Sequence, residues 1–271
     1  MSSGSFEVDF SGYEFFKVSR DGKVLTITFN DPDRLNAIND RGHRELSRIF
    51  VDAAEDEASE VIVVTGAGRA FSAGGDLDMI QRFHDHPLAL HRGLREGKRV
   101  ASSMLDCDKP VIAKVNGDAV GLGATVALFC DVVFAADTAR FGDPHNKVGL
   151  ITGDGGQVTW PQMIGFARAK HYLLTGELIP APEAQAIGLI YKAVPAETLD
   201  AEVDAYVKRL LAMPIQSVRW AKQTLNIPLK QLAHSMMDAG LAYEGLGAAT
   251  EDTQEAINAF RERRKPAFKH R

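Results

Sequence analysis

The sequence holds only two cysteines, Cys107 and Cys130, among 271 residues. That number allows no disulfide framework and no paired C-x-x-C metal site. Nor is there an excess of basic charge. The formal net charge of -5 argues against nucleic acid as the main partner, which calls for a basic surface facing phosphates. No apolar run reaches the roughly 18 residues of a membrane-spanning helix. The opening stretch, MSSGSFEVDFSGYEFF, lacks a basic n-region and an apolar h-region, so no secretory signal is expected. A cytoplasmic protein is the expectation. Familiar nucleotide motifs are missing too. GAGRAF and GLGATV each lack the third glycine of a dinucleotide fingerprint, with Phe71 and Val126 in its place. There is no P-loop and no H-E-x-x-H, and AFSAGG sets Ser72 in only a faint nucleophile-elbow pattern.

What is present is a chain 45% hydrophobic and 25% charged, ordinary for a globular protein with a sizeable core. VLTITF (24–29) alternates and ends in a turn, NDPD; GHRELSRIFVDAAED has helical spacing through Leu46, Ile49, Phe50 and Ala53. VIVVTG (61–66), VIAKV (111–115) and DVVFAA (131–136) are β-branched runs, typical of strands buried on both faces. Buried strands alternating with helices predict an α/β core with parallel pairing. After about residue 197 the strand signal vanishes. Four helices are expected there, separated by Pro214, Pro228 and Gly247. The expected division is a core over residues 1–196 and a helical C-terminal region over 197–271, an appendage to that core.

Two glycine loops follow buried strands: AGRAFSAGGDL after VIVVTG, and NGDAVGLGATVAL after VIAKV. Each leaves backbone N–H groups free at a helix start, where partial positive charge accumulates. Two such groups on one point would form an oxyanion hole; tight turns made for packing would look the same. A third glycine-rich stretch, FGDPHNKVGLITGDGG (141–156), carries His145, Asp143 and Asp154. It reads either as a surface loop or as a general base with an orienting partner.

FNDPDRLNAIN, VTGAGRAFSAGGDLDMI, PVIAKVNGDAVGLGATVALFCDVVFAAD and FARAKHYLLTGELIPAPEAQAIGLI, with AINAFRERRKPAF at the end, resemble the enoyl-CoA hydratase/isomerase (crotonase) family in order and spacing. The resemblance covers nearly the whole chain. It implies a spiral of strand–strand–helix turns and a helical C-terminal region that mediates trimers or hexamers. It also implies an acyl-CoA substrate, an enolate-like intermediate and no cofactor beyond the CoA of the substrate; no metal is expected. The family's oxyanion donors map onto the N–H groups of Gly75 and Leu122. Its CoA contacts map onto Arg34, Leu35, Ala37, Ala73, Asp76 and Leu77, with Phe260 and Arg263 of the last helix. Core packing is the competing reading of Phe260, and a solvated helix end that of the RERRK charges.

The chain departs from this family at the chemistry. Hydratases of this type carry two glutamates, and these positions align with Thr125 and His145. A threonine hydroxyl is no general base near neutral pH, though it can position a water. An imidazole, titrating near pH 6.5 when unperturbed, is competent as a base. Asp154, before a predicted helix, is the expected orienter of His145; Asp143 is the competing partner, though its place before Pro144 favours turn chemistry. PHNKVGLITGDGGQVTWPQMIG is also similar to the oxocamphor hydrolase type of crotonase-fold enzyme, which cleaves a C–C bond in a cyclic diketone without CoA. There a histidine matches His43 and a glutamate matches Glu244; in this chain both are expected at solvent or a subunit interface. The expected activity is hydration or double-bond isomerisation of an acyl-CoA by His145 and Asp154. A retro-Claisen hydrolase and a non-catalytic acyl-CoA-binding protein are the alternatives.

Overall fold

A computed structural model describes residues 6–271. A hairpin opens the fold. β1 (Phe16–Asp21) pairs antiparallel with β2 (Val24–Phe29) across a two-residue turn in which Gly22 takes φ +55°, the left-handed backbone such turns require. Helix α1 (Asp40–Glu55) follows, with the Asn39 side chain capping its start by accepting from the Gly42 N–H.

Three turns of one spiral come next. β3 (Val61–Gly66) and β4 (Ala70–Ser72) lead into α2 (Leu77–Asp85) and α3 (Pro87–Asp106). β5 (Val111–Val115) and β6 (Asp118–Val120) lead into α4 (Leu122–Phe129). β7 (Val132–Ala136) and β8 (Arg140–Gly142) lead through a 3-10 turn at His145–Val148 into α5 (Gly156–Ile164) and α6 (Phe166–Thr175). β9 (Ile179–Pro180), α7 (Ala181–Ala186) and β10 (Lys192–Val194) close the spiral. The longer strands form one sheet in the order β1-β2-β3-β5-β7-β10, and the short ones a second in the order β4-β6-β8-β9. Pairing is parallel except at β1–β2 and β8–β9. The parallel expectation thus holds inside the large sheet and fails at its hairpin edge, where a two-residue turn can only reverse the chain.

The C-terminal helices are α8 (Leu199–Leu211), α9 (Ile215–Leu225), α10 (Ile227–Ala248) and α11 (Glu251–Arg261). Leu199, Val203 and Val207 of α8 and Ala233, Met237 and Leu241 of α10 share one apolar core with the large sheet. Gly247 was expected to separate two helices but lies inside α10, which runs to Ala248. A Cβ there would fall 2.6 Å from the Gly149 carbonyl oxygen, so this glycine serves a close approach rather than a stop. Helices α2 and α3 carry little of the sequence signal because α3 is interrupted by Gly93 and Gly97, which lower helix propensity. Gly93 is needed where it stands: a Cβ would lie 2.3 Å from Cζ of Phe83. Among the described residues no helix is long and apolar enough to cross a membrane.

Candidate active site

The two glycine loops touch each other. Gly74 takes φ +88°, and a Cβ on it would lie 2.7 Å from the Val120 carbonyl oxygen and 3.5 Å from Cα of Gly121. Only a residue without a side chain admits this contact. It sets Gly75 beside the start of α4. The Ile38 N–H donates to the Gly74 carbonyl at 2.7 Å and the Asp76 N–H to the Ile38 carbonyl at 3.0 Å, which fixes the chain on either side of Gly75. Leu122 is the first residue of α4, so its N–H has no intrahelical acceptor. Ser72 is fully buried and donates its hydroxyl proton to the Asn36 carbonyl at 2.9 Å, a structural role.

His145 begins the 3-10 turn after β8, and its ring leans on the second glycine loop. A Cβ built on Gly121 would lie 3.6 Å from Cε1 and 3.9 Å from Nε2 of His145. Asp143 accepts a hydrogen bond from Nδ1 through its Oδ1, and its Oδ2 accepts one from the Thr152 hydroxyl. On the other side of the ring, Nε2 stands 3.8 Å from Oδ2 of Asp154. The Thr125 hydroxyl donates to the other oxygen of Asp154 at 3.2 Å, while Oδ2 is buried with no hydrogen-bond partner. This corrects the expected pairing. Asp143, the competing partner whose place before Pro144 favoured turn chemistry, is the carboxylate at Nδ1, because a residue two positions before the histidine folds under that nitrogen. Asp154 instead faces the nitrogen that points toward the glycine loops.

Glu244 also differs from expectation. Two opposed glycines let α10 sit directly on the 152–155 loop: a Cβ on Gly153 would lie 2.5 Å from the Gly240 carbonyl oxygen and 2.7 Å from Oε2 of Glu244. One helical turn beyond Gly240, the Glu244 carboxyl therefore reaches the residue preceding Asp154. Its Oε2 is buried and has no hydrogen-bond partner. His43 does not face solvent either. It is buried on α1, with Nδ1 2.8 Å from Oε2 of the buried Glu96 on α3. No pattern of spacing could have found Glu244, since its neighbour lies ninety-odd positions away in sequence; the glycine one turn before it was the only local sign.

Burial opposes charge on His145, but Asp143 and Asp154, the hydrogen bond to Asp143 and Glu244 outweigh it and hold the imidazole well above its ordinary pKa. Asp143 is buried as well, and the imidazolium with the His145 and Thr152 hydrogen bonds keeps it below the usual carboxylate range. Burial pushes Asp154 up; the imidazolium beside it restrains the rise and Asp143 adds to it. Burial, then repulsion from Asp154, pushes Glu244 up to about 8 against the pull of His145. The surroundings therefore favour the charged form of His145 and the protonated form of Glu244. His145 is held further toward its charged form than its ordinary pKa suggested. Ligand atoms of Asp143, His145 and Asp154 all lie within 4.8 Å of one another, a set that could take a divalent ion; the imidazolium answers the same charge.

The residues mapped to CoA fall into two places. Leu35 and Ala73 line a pocket of about 240 Å³ with Arg69, Ala70, Asp118 and Val120, next to the two glycine loops. Arg34 meets buried Asp76 at 2.6 Å, and Asp76 also caps α2 by accepting from the N–H groups of Asp78 and Met79. Ala37 follows in the same connection, and Leu77 packs beside Ile80, Leu150, Ala248 and Ile257. Phe260 is 67% exposed, so core packing is not its role, and Arg263 lies in the exposed stretch after α11. Of their neighbours, Arg261 pairs with Asp78 at 3.0 Å and so ties α11 to α2, while Arg264 pairs with Glu255 and holds the segment after α11 against that helix.

The sequence profile of the enoyl-CoA hydratase/isomerase family matches residues 19–271. The chain belongs to that family. Relatives agree across the full length. A probable enoyl-CoA hydratase of Mycobacterium bovis is 36% identical over 264 residues, covering 96% of this chain and 99% of that one. A solved enoyl-CoA hydratase/isomerase from Mycobacterium paratuberculosis superposes with a TM-score of 0.87 at 37% identity, covering 90% of this chain and 97% of its own. A β-diketone hydrolase from the cyanobacterium Anabaena, solved with (S)-3-oxocyclohexyl acetic acid, gives a TM-score of 0.83 at 29% identity over 89% of this chain and 96% of its own. Family membership makes the protein an enzyme of the crotonase type and agrees with its spiral of paired strands and helices.

Proposed function

We propose that this family member processes an acyl-CoA thioester, by hydration or double-bond isomerisation, through an enolate held by the N–H groups of Gly75 and Leu122. The observation that carries this reading is the seat of the His145 ring against Gly121, 3.6 Å from where a Cβ would be. A thioester carbonyl received at the start of α4 would have its α-carbon beside the charged cluster. Backbone donors there stabilise the oxyanion as it forms, and Asp154, His145 and Asp143 supply the groups for proton transfer. Leu35, Ala37, Ala73, Arg34, Asp76 and Leu77 border the entrance for the CoA moiety, and Thr125 steadies Asp154. Phe260, exposed on the last helix, and Arg263, exposed just after it, would meet the CoA of a neighbouring subunit in a trimer or hexamer.

A second reading, hydrolysis of a C–C bond in a β-diketone, is supported by Thr125 in place of a glutamate and by the likeness to the Anabaena hydrolase. One assay separates them. Purified protein is offered crotonyl-CoA and a cyclic 1,3-diketone, and loss of absorbance is followed for each. Turnover of crotonyl-CoA is expected; turnover of the diketone alone would defeat the first reading, and CoA-thioester binding without any turnover would favour a binding protein.

A further inference from the structure

We propose that the His145 cluster is a binding site for one divalent transition-metal ion, held by Nε2 of His145 and Oδ2 of Asp154, and that the bound ion shuts off turnover. Binding of the ion does not depend on the acyl-CoA reading. Nε2 and Oδ2 face each other at 3.8 Å, too far apart for a hydrogen bond. Two tetrahedral ligands of one Zn2+, each about 2.0–2.2 Å from it, lie roughly 3.4 Å apart. A movement of roughly 0.4 Å therefore closes this pair on an ion. Asp154 is 6% exposed, and its Oδ2 has no hydrogen-bond partner among the described residues. Buried polar atoms are almost always partnered, so this oxygen is left for a group from outside the chain.

The surroundings support both ligand atoms. Asp143 accepts from Nδ1 of His145 through Oδ1, and the Thr152 hydroxyl donates to its Oδ2. A carboxylate on the far nitrogen fixes the ring and directs Nε2 at the ion, as in carboxylate–histidine–zinc arrangements. The Thr125 hydroxyl holds Oδ1 of Asp154 at 3.2 Å, which leaves Oδ2 as the free ligand atom. Glu244 Oε2, buried and likewise unpartnered among the described residues, stands beside Gly153 and offers a further oxygen.

One imidazole nitrogen with carboxylate oxygens suits Zn2+, Co2+ or Ni2+, whereas Mg2+ and Ca2+ prefer shells of oxygen alone. The ion takes the place of the proton on Nε2, which passes to solvent. No electron is transferred. With Nε2 and Oδ2 both bound to the ion, neither is free to hold or move a proton for a substrate.

Chelator-treated, full-length protein is titrated with zinc chloride by calorimetry, and with magnesium chloride in parallel. The titration needs no substrate, so its failure and that of the acyl-CoA reading are separable. One Zn2+ per chain is expected, bound about 100-fold or more tightly than Mg2+. His145→Ala and Asp154→Asn should each weaken it by about 100-fold or more, and Asp143→Asn, which touches only the far nitrogen, by about 10- to 100-fold. His171→Ala, at an exposed pair with Glu177, should leave it unchanged. X-ray absorption of the zinc-loaded wild type, which needs no variant, should show imidazole nitrogen and oxygen ligands and no sulfur. Wild-type turnover, on whichever substrate is accepted, should halve at the Zn2+ concentration that half-fills the site and return with EDTA. Zn2+ held as tightly by His145→Ala, affinity lost in His171→Ala instead, Mg2+ bound as tightly, a sulfur ligand, or undiminished turnover at saturating Zn2+ would overturn the assignment.

Discussion

The two sides of this site are built from different material. The glycine-loop side is backbone: Gly74 pressed on Val120 and Gly121, where the N–H groups of Gly75 and Leu122 are the proposed oxyanion donors. The facing side is side chains: His145 with a carboxylate at each nitrogen, and Glu244 delivered by a helix from the other end of the chain. The backbone side tolerates Leu122 because a peptide N–H is the same on any residue but proline. The side-chain side tolerates no such drift, since each group sets the charge of the next. Within one family the first can stay constant while the second is rebuilt.

The largest effect should come from breaking the backbone side at one atom. Leu122→Pro removes the N–H while keeping a first-turn residue that helices accept. It should cost about 100- to 1,000-fold in kcat, with circular dichroism unchanged; Leu122→Ala, which keeps the N–H, should stay near wild type in kcat. Equal rates for the two variants would mean that this N–H stabilises no oxyanion. On the other side, His145→Ala should lower kcat by about 100-fold, and steady-state rates at wild-type level would remove the cluster from the chemistry.

Asp143→Asn probes the orienting contact through stability. The folded pKa of His145 is raised, so its contribution is complete below the ordinary imidazole value and is lost as pH climbs through the folded value. The folded pKa of Asp143 is lowered, so its contribution is present above the ordinary carboxylate value and lost in acid. The variant should therefore lose about 3 kcal/mol between those limits, with the gap to wild type narrowing at both extremes; denaturant titrations across pH would show a constant gap if the pair were unimportant. The smallest change is steric. Gly153→Ala pushes a methyl toward the Gly240 carbonyl and Glu244, and should cost about 1–3 kcal/mol with some loss of rate. A thermal midpoint and kcat both equal to wild type would show that α10 does not rest on Gly153.

Much of the fold was legible beforehand. VIVVTG, VIAKV and VVFAA are buried strands because continuous β-branched runs suit a sheet covered on both faces, and they form β3, β5 and β7. The glycine loops were legible as loops for the same local reason. Less legible were α2 and α3, whose glycines answer to neighbours such as Phe83, and the hairpin edge at β1. In the site, His145 and its glycine-rich surroundings stood out, but the assignment of its partner did not follow: Asp143 and Asp154 are equally acidic on paper, and only the turn geometry says which nitrogen each one meets.

By itself, the sequence determined the strands, the helical tail, the family and the identity of the residues that depart from it, because these depend on periodicity, glycine and the order of motifs. Only the tertiary structure decided the chemistry of those departures. Whether His145 is a neutral base or a cation depends on how many carboxylates surround it in low dielectric. Asp143 and Asp154, set at opposite nitrogens by the turn after β8 and the 152–155 loop, supply most of that influence, and α10, packed through Gly240 against Gly153, adds Glu244.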